Sequence, residues 1–189
     1  FLMKKNNFFY DNKVVYKPWG YEYVIFRNRK HLSVTLLKIN YNKKTSLHCH
    51  PKKKTGFIVV SGKALIQLGL WEDTAKYYQS PSKLMIRTGL FHSIKAASKK
   101  GIFALEFETP FDKNDLVRFK DNYGRQSKPY EGKNFTKKIG SDFIKFKKPK
   151  LGKNQLFAIN KVKISLEVHK NFNNLINKKN STIFAIIDG

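Results

Sequence analysis

The sequence predicts an all-β fold, a β-sandwich or barrel, and three observations carry that expectation. Short strand-like runs recur at a spacing of roughly eight to twelve residues. The breaks between them are built from Gly, Pro and Asn, the residues that make turns. Among 189 residues there are 16 Phe and 9 Tyr, side chains that suit a pleated, half-buried surface better than a helix.

The elements follow in order. Residues 1–13 are polar and lysine-rich around Phe8-Phe9-Tyr10 and read as an N-terminal arm. Val14-Val15-Tyr16 opens the strands, and Lys17-Pro18-Trp19-Gly20 forces a turn around a large ring. Tyr21 to Phe26 is the next strand, turned at Arg27-Asn28-Arg29-Lys30. Leu32 to Asn40 alternates and then slips, which suits a strand buried partly on both faces. The histidine strand follows the polar turn Asn42-Lys43-Lys44.

Beyond the loop Pro51 to Gly56, Phe57-Ile58-Val59-Val60 reads as a buried strand, and Ser61-Gly62 turns it back into Lys63 to Leu68. Lys76-Tyr77-Tyr78 and Leu84-Met85-Ile86 precede a turn at Thr88-Gly89 and the strand around His92. Ile102 to Glu108 sets Phe103, Leu105 and Phe107 against Ala104, Glu106 and Glu108, with the inward set undecided. Lys113 to Lys120 reads as a helix, with Asp112 as N-cap and Asp115 in its first turn. Residues 126–150 form a lysine-rich wrapping segment.

Residues 151–189 form a β-rich extension, with alternation from Lys161 to Val168, a short helix within His169 to Lys178 and a final strand from Ile183 to Ile187. Thr182 to Gly189 can be laid over Thr55 to Gly62. Either two buried strands before a glycine simply look alike, or a partial second barrel begins near residue 150.

Composition narrows the function. The net charge of +25 invites a nucleic-acid reading, but the lysines are scattered and no helix-turn-helix, zinc-finger or RNP-like pattern is present. A nucleic-acid partner is therefore not expected, and a field that attracts small anions is. No apolar run reaches the ~20 residues of a membrane span, and no secretory leader is read. The single cysteine, Cys49, suits a reducing setting, so a cytoplasmic protein is expected.

The chemistry concentrates in Ser46-Leu47-His48-Cys49-His50. Residues two apart on a strand project the same way, so His48 and His50 share a face. Two imidazoles side by side are half of a metal site, and His92 would complete it if its strand faced theirs across a barrel. Otherwise they are ordinary polar residues of a barrel face.

With these residues in place, the chain resembles the cupin superfamily, and within it the cupin domain of type II mannose-6-phosphate isomerase and mannose-1-phosphate guanylyltransferase enzymes. Four stretches carry the likeness over residues 14–125. They are Tyr16 to Tyr21, with its Lys-Pro-Trp-Gly; Ser46 to Ala64, with His-x-His and Ser-Gly; Ile86 to His92; and Leu105-Glu106 with Asn114 to Arg125. The resemblance implies a double-stranded β-helix, the cupin jelly-roll barrel, with an exit helix after it.

It also implies a divalent metal (Zn, Fe, Mn or Ni) held by His48, His50 and His92, and a small anionic sugar or sugar phosphate as ligand. The implied activity is aldose–ketose isomerisation feeding nucleotide-sugar or polysaccharide synthesis. Glu106 is then the best carboxylate for moving the proton, with Arg87 and Lys54 as phosphate-binding candidates. One departure matters: the glutamate ligand usual in such cupins, seven residues before the Ser-Gly bend, is here Thr55. That loss keeps a second reading open, a non-catalytic cupin that binds an anionic sugar. A three-histidine iron cupin that uses oxygen fits the flanking stretches less well. Edge-strand pairing of such barrels makes a homodimer the expected assembly.

Overall fold

The protein is described from a computed structural model that covers residues 7–28, 31–128, 130–171, 173–176 and 182–187. The first strands are β1 (Lys13–Lys17), β2 (Gly20–Asn28), β3 (Leu32–Ile39), β4 (Leu47–Cys49) and β5 (Lys54–Ser61). They continue through β6 (Lys63–Leu68), β7 (Lys76–Gln79), β8 (Ser82–Ile86), β9 (His92–Ala96) and β10 (Ile102–Thr109). Later come β11 (Val117–Lys120), β12 (Thr136–Lys138), β13 (Gln155–Ile159), β14 (Val162–Leu166) and a single helical turn, α1 (Asn173–Ile176).

Two antiparallel sheets enclose the core, as the sequence predicts for a jelly-roll barrel. One has seven strands in the order β12-β1-β2-β3-β10-β5-β8, the other five in the order β11-β4-β9-β6-β7. Their facing sides meet in an inner core of Trp19, Leu37, Ile39, Phe57, Val59, Ile66, Ile86, Ile94 and neighbours. The back of the larger sheet is buried as well. Tyr23, Ile25, Val34, Leu36, Val60 and Leu105 pack there against Phe146 and Ile159. Residues after the barrel supply that cover: the segment around Phe143 to Phe146 and the separate β13-β14 hairpin. A strand such as β3 therefore sends Leu37 and Ile39 inward and Val34 and Leu36 outward, both into apolar surroundings.

The Lys17-Pro18-Trp19-Gly20 turn joins β1 to β2, with Lys17 paired to Gly20 across it. Gly20 has φ +148°, and a Cβ there would lie 2.0 Å from the Lys38 carbonyl oxygen of β3. Glycine is needed because the neighbouring backbone occupies that space.

Two expectations are corrected. Residues 113–120 do not form the exit helix. Asp112 does cap locally, accepting from the Asn114 N–H at 2.9 Å, but the chain then extends as β11 and pairs with β4, Val117 opposite Cys49 and Arg118 opposite His48. The β-favouring Val117 and Phe119 and the open edge of β4 outweigh the capping signal. Ile183 to Ile187 forms no strand: Ile187 reaches the outer core while Ile186 stays exposed. A short helix, α1, does lie within His169 to Lys178; Phe172 and residues 177–178 are outside the described set, as are Arg29 and Lys30 of an expected turn. The comparison of Thr182–Gly189 with Thr55–Gly62 thus sets an irregular run over its described part, residues 182–187, against strand β5.

Candidate metal centre and its cavity

The three sequence-predicted histidines meet. His48 lies on β4, His50 just past its end and His92 at the start of β9, with His48 directly opposite His92 across the antiparallel pair. The Gly89 N–H donates to the His50 carbonyl at 2.8 Å, tying the Thr88-Gly89 turn to the histidine strand. Ring centroids are 4.6 Å apart for His48 and His92, 5.0 Å for His48 and His50, and 5.3 Å for His50 and His92. One nitrogen from each ring lies within 4.8 Å of the other two.

Hydrogen bonding decides which nitrogens those are. His48 Nδ1 lies 2.8 Å from the Ser46 carbonyl, His50 Nδ1 2.6 Å from the Asp115 carbonyl, and His92 Nδ1 3.0 Å from the Leu90 carbonyl. A carbonyl only accepts, so each Nδ1 carries the proton and each Nε2 keeps a lone pair. The Nε2 atoms of His50 and His92 are buried without a hydrogen-bond partner. Orphaned buried acceptors are costly, and three imidazoles oriented by backbone carbonyls are the usual donor set for a divalent metal. The residues fit a metal ion.

Electrostatics agree. Burial lowers all three imidazoles: His50 to about 3, with Lys53 next in effect, His92 to about 4, and His48 well below its ordinary value. Neutral rings are the ligating form.

His48 and His50, with the His92 ring packed against theirs, form one side of a cavity of about 60 Å³, room for a few water molecules. Its other side is charged, lined by Lys17, Glu22, Lys53, Glu106, Glu108, Lys113, Arg118 and Arg125. Strand parity puts them there. Lys53, Thr55 and Phe57 face inward, and β10 pairs with β5 so that Glu108 lies opposite Thr55 and Glu106 opposite Phe57. Two carboxylates of the adjacent strand thus flank the Thr55 position, and His50, Glu106 and Glu108 form a second set of possible donors within 4.8 Å of one another.

The two glutamates differ. Glu108 accepts from Lys53 Nζ at 2.5 Å, Lys113 Nζ at 3.0 Å and Ser33 Oγ at 3.2 Å. Burial pushes it up, but Lys113 and Lys53 outweigh burial and hold it ionised far below the usual carboxylate range. Glu106 is raised, first by burial and then by Glu108 beside it. One side chain is a locked anion, the other a carboxyl raised to about 8, close enough to neutral pH to hold a proton or give it up.

Arg87 and Lys54 are both exposed, and neither lines the cavity. Lys54 is the outward neighbour of inward Lys53. The sequence alone does not assign Lys53, Glu108, Lys113, Lys17, Arg118 or Arg125 to the site. Arg118 lines the cavity beside His48 and donates from NH1 to the Lys128 carbonyl. Asp115 accepts from the Lys52 and Lys53 N–H groups, fixing the loop after His50.

Residues 4–121 match the family described as mannose-6-phosphate isomerase C-terminal. The chain belongs to that family. It is a cupin. One neighbour is the capsular polysaccharide assembling protein CapF from Staphylococcus aureus, at TM-score 0.51 and 19% identity, covering 57% of this chain and 34% of CapF. Others are the Lactobacillus farciminis oxalate decarboxylase formate complex (TM-score 0.49, 18% identity, 56% of this chain and 33% of that one) and KdgF from Halomonas sp. (0.45, 14%, 51% and 84%). The chain spans about a third of the length of CapF, and at this identity the likeness concerns the fold. No curated relative matches the chain in sequence. Among the described residues no helix is long and apolar enough to cross a membrane.

Proposed function

We propose that this family member is a metal-binding cupin of sugar-phosphate metabolism, catalysing aldose–ketose isomerisation of the mannose-6-phosphate type. The observation that carries the reading is the convergence of three neutral imidazoles, two with buried unpartnered Nε2 atoms, beside a second donor set at Glu106 and Glu108. A divalent ion on His48, His50 and His92, of the Zn, Fe, Mn or Ni type, would supply an electrophile for the sugar carbonyl. The chain's own groups do the rest. Glu106 stands next to His50, where it can take a proton from the carbon adjacent to the carbonyl and return it to the neighbouring carbon. Glu108, clamped by two ammonium groups, keeps Lys53 and Lys113 in register and balances their charge. Trp19 and Phe57 give the cavity an apolar wall that limits water.

The test is turnover of mannose-6-phosphate to fructose-6-phosphate in a coupled assay. The expected result is metal-dependent turnover, reduced about 100-fold or more in Glu106→Gln. A non-catalytic cupin that binds an anionic sugar has one observation in its favour, the Thr55 substitution at the usual glutamate position. A metal-loaded protein that binds hexose phosphates but turns none over establishes that second reading.

A further inference from the structure

The charges around the cavity do not balance from the barrel alone. Five cationic side chains line it, Lys17, Lys53, Lys113, Arg118 and Arg125, against the carboxyl groups Glu22, Glu106 and Glu108. Glu108 answers Lys53 and Lys113. Lys17, Arg118 and Arg125 share a different carboxylate, Glu131, in the link between β11 and β12, while Arg125 is also paired with Asp121 at 2.7 Å and Lys17 lies 3.7 Å from Glu22. Glu131 pairs with Lys17 Nζ, with Arg125 NH1 at 2.7 Å and with Arg118 NH2 at 4.0 Å. The pairing is buried, Glu131 being 8% exposed.

Neighbouring contacts hold this segment down. The Tyr130 hydroxyl donates to Glu22, its ring centroid lies 3.6 Å from Lys17 Nζ, and the Tyr10 hydroxyl donates to the Glu131 carbonyl at 2.9 Å. Tyr130 also lines the cavity. The free space beside the histidines is small, and Tyr130 on its wall and the adjacent Glu131 belong to the irregular link between β11 and β12, outside any strand ladder, so they are a part of the wall that a larger ligand can displace without breaking a sheet.

We propose that Lys17, Arg118 and Arg125 form a binding site for a phosphoryl group, and that the Glu131 carboxylate is a built-in competitor which the ligand's anion replaces. The site deepens the sugar-phosphate reading and rests on it for the rest of the ligand. Arg118 stands opposite His48 across the β4–β11 pair, so an anion held there places the body of its ligand beside the histidines. Two arginines and a lysine suit a phosphate, which can take several donors at once. Exchange of one buried anion for another leaves no cation stranded.

Inorganic phosphate is the probe, titrated calorimetrically into the full chain as wild type, Glu131→Gln and Glu131→Gln/Lys17→Met. Removing an internal competitor raises apparent affinity by the inverse of the fraction of protein already open, so Glu131→Gln is expected to bind about 10-fold tighter or more. The double variant should lose that gain. The melting temperature of Glu131→Gln should start below wild type and recover as phosphate is added. Equal affinity in wild type and Glu131→Gln, or a gain that survives Lys17→Met, overturns the proposal. Should Glu131→Gln not fold, amide exchange of wild type decides. Saturating phosphate should speed exchange at residues 130–135, and unchanged or slower exchange rejects the idea. Metal content of the same samples separates the two readings, because absent metal with an intact phosphate response sinks the isomerase proposal and leaves this site standing.

Discussion

The cavity has a histidine wall and a charged wall, and the chain treats them in opposite ways. On the histidine wall each ring has one nitrogen committed to a backbone carbonyl, and two of the three leave the other nitrogen buried without a partner. On the charged wall the cations and carboxylates are matched to each other over distances such as 2.5 Å for Lys53–Glu108 and 2.7 Å for Arg125–Glu131. The first wall is a set of donors waiting for an electrophile. The second is a neutralised lattice that must be rearranged, not filled, when an anion arrives. Binding chemistry and structural charge pairing can thus share one small cavity and answer to different perturbations.

The sharpest break is on the histidine wall. His92→Ala should lower the metal content of the purified protein from about one per chain to about a tenth of that or less, with the fold retained, as read by elemental analysis and circular dichroism.

On the charged wall the cost should appear in stability. Lys53→Met leaves the buried Glu108 with one ammonium partner fewer and should destabilise by about 3–5 kcal/mol in urea unfolding. Adding Glu108→Gln should recover part of that loss, since the two changes remove one interaction.

Phe146→Ala sharpens the comparison from outside. It opens the outer core, away from the cavity, and should cost about 3 kcal/mol while leaving metal stoichiometry unchanged.

Acid should loosen the charged wall through the Glu131 segment. Burial raises Glu131 and Asp121, but Lys17 for the first and Arg125 for the second outweigh it, leaving both below their ordinary values of 4.5 and 3.8. A depressed carboxylate stabilises the fold fully above its unfolded value and loses that contribution as pH falls through the folded one. Proteolytic nicking between residues 126 and 135 should therefore stay flat above about pH 5 and rise below pH 4. The smallest effect is expected for Arg87→Ala and Lys54→Ala, each within about 0.5 kcal/mol and with metal content unchanged, because both are exposed outside the cavity.

Much of the histidine wall was legible in the sequence because it depends on the shortest-range rule available. A two-residue period puts His48 and His50 on one face, and the Thr88-Gly89 turn announces the strand that brings His92. The charged wall depends on parity, which local sequence did not reveal. Along β10 the apolar residues Phe103, Leu105 and Phe107 point outward, and Ala104, Glu106 and Glu108 point inward. A rule of apolar in and charged out would invert this. It fails because the outer face is covered by residues some 40 positions later in the chain, Phe143 to Val162. Lys52, Lys53 and Lys54 are alike in composition, yet only Lys53 is buried, for the same reason. At Lys113 to Lys120 the local signal was real: Asp112 does cap a turn. The open edge of β4 then took the chain as a strand, a tertiary demand that no window of eight residues contains.

X-ray absorption at the metal edge, on protein loaded with one equivalent of Zn²⁺, tests the coordination claim most directly. The expected spectrum shows nitrogen neighbours at about 2.0–2.1 Å with the outer-shell scattering of three imidazole rings, falling to two in His48→Ala. A spectrum with fewer than three rings in the wild type, or a protein that releases the ion on gel filtration, contradicts it.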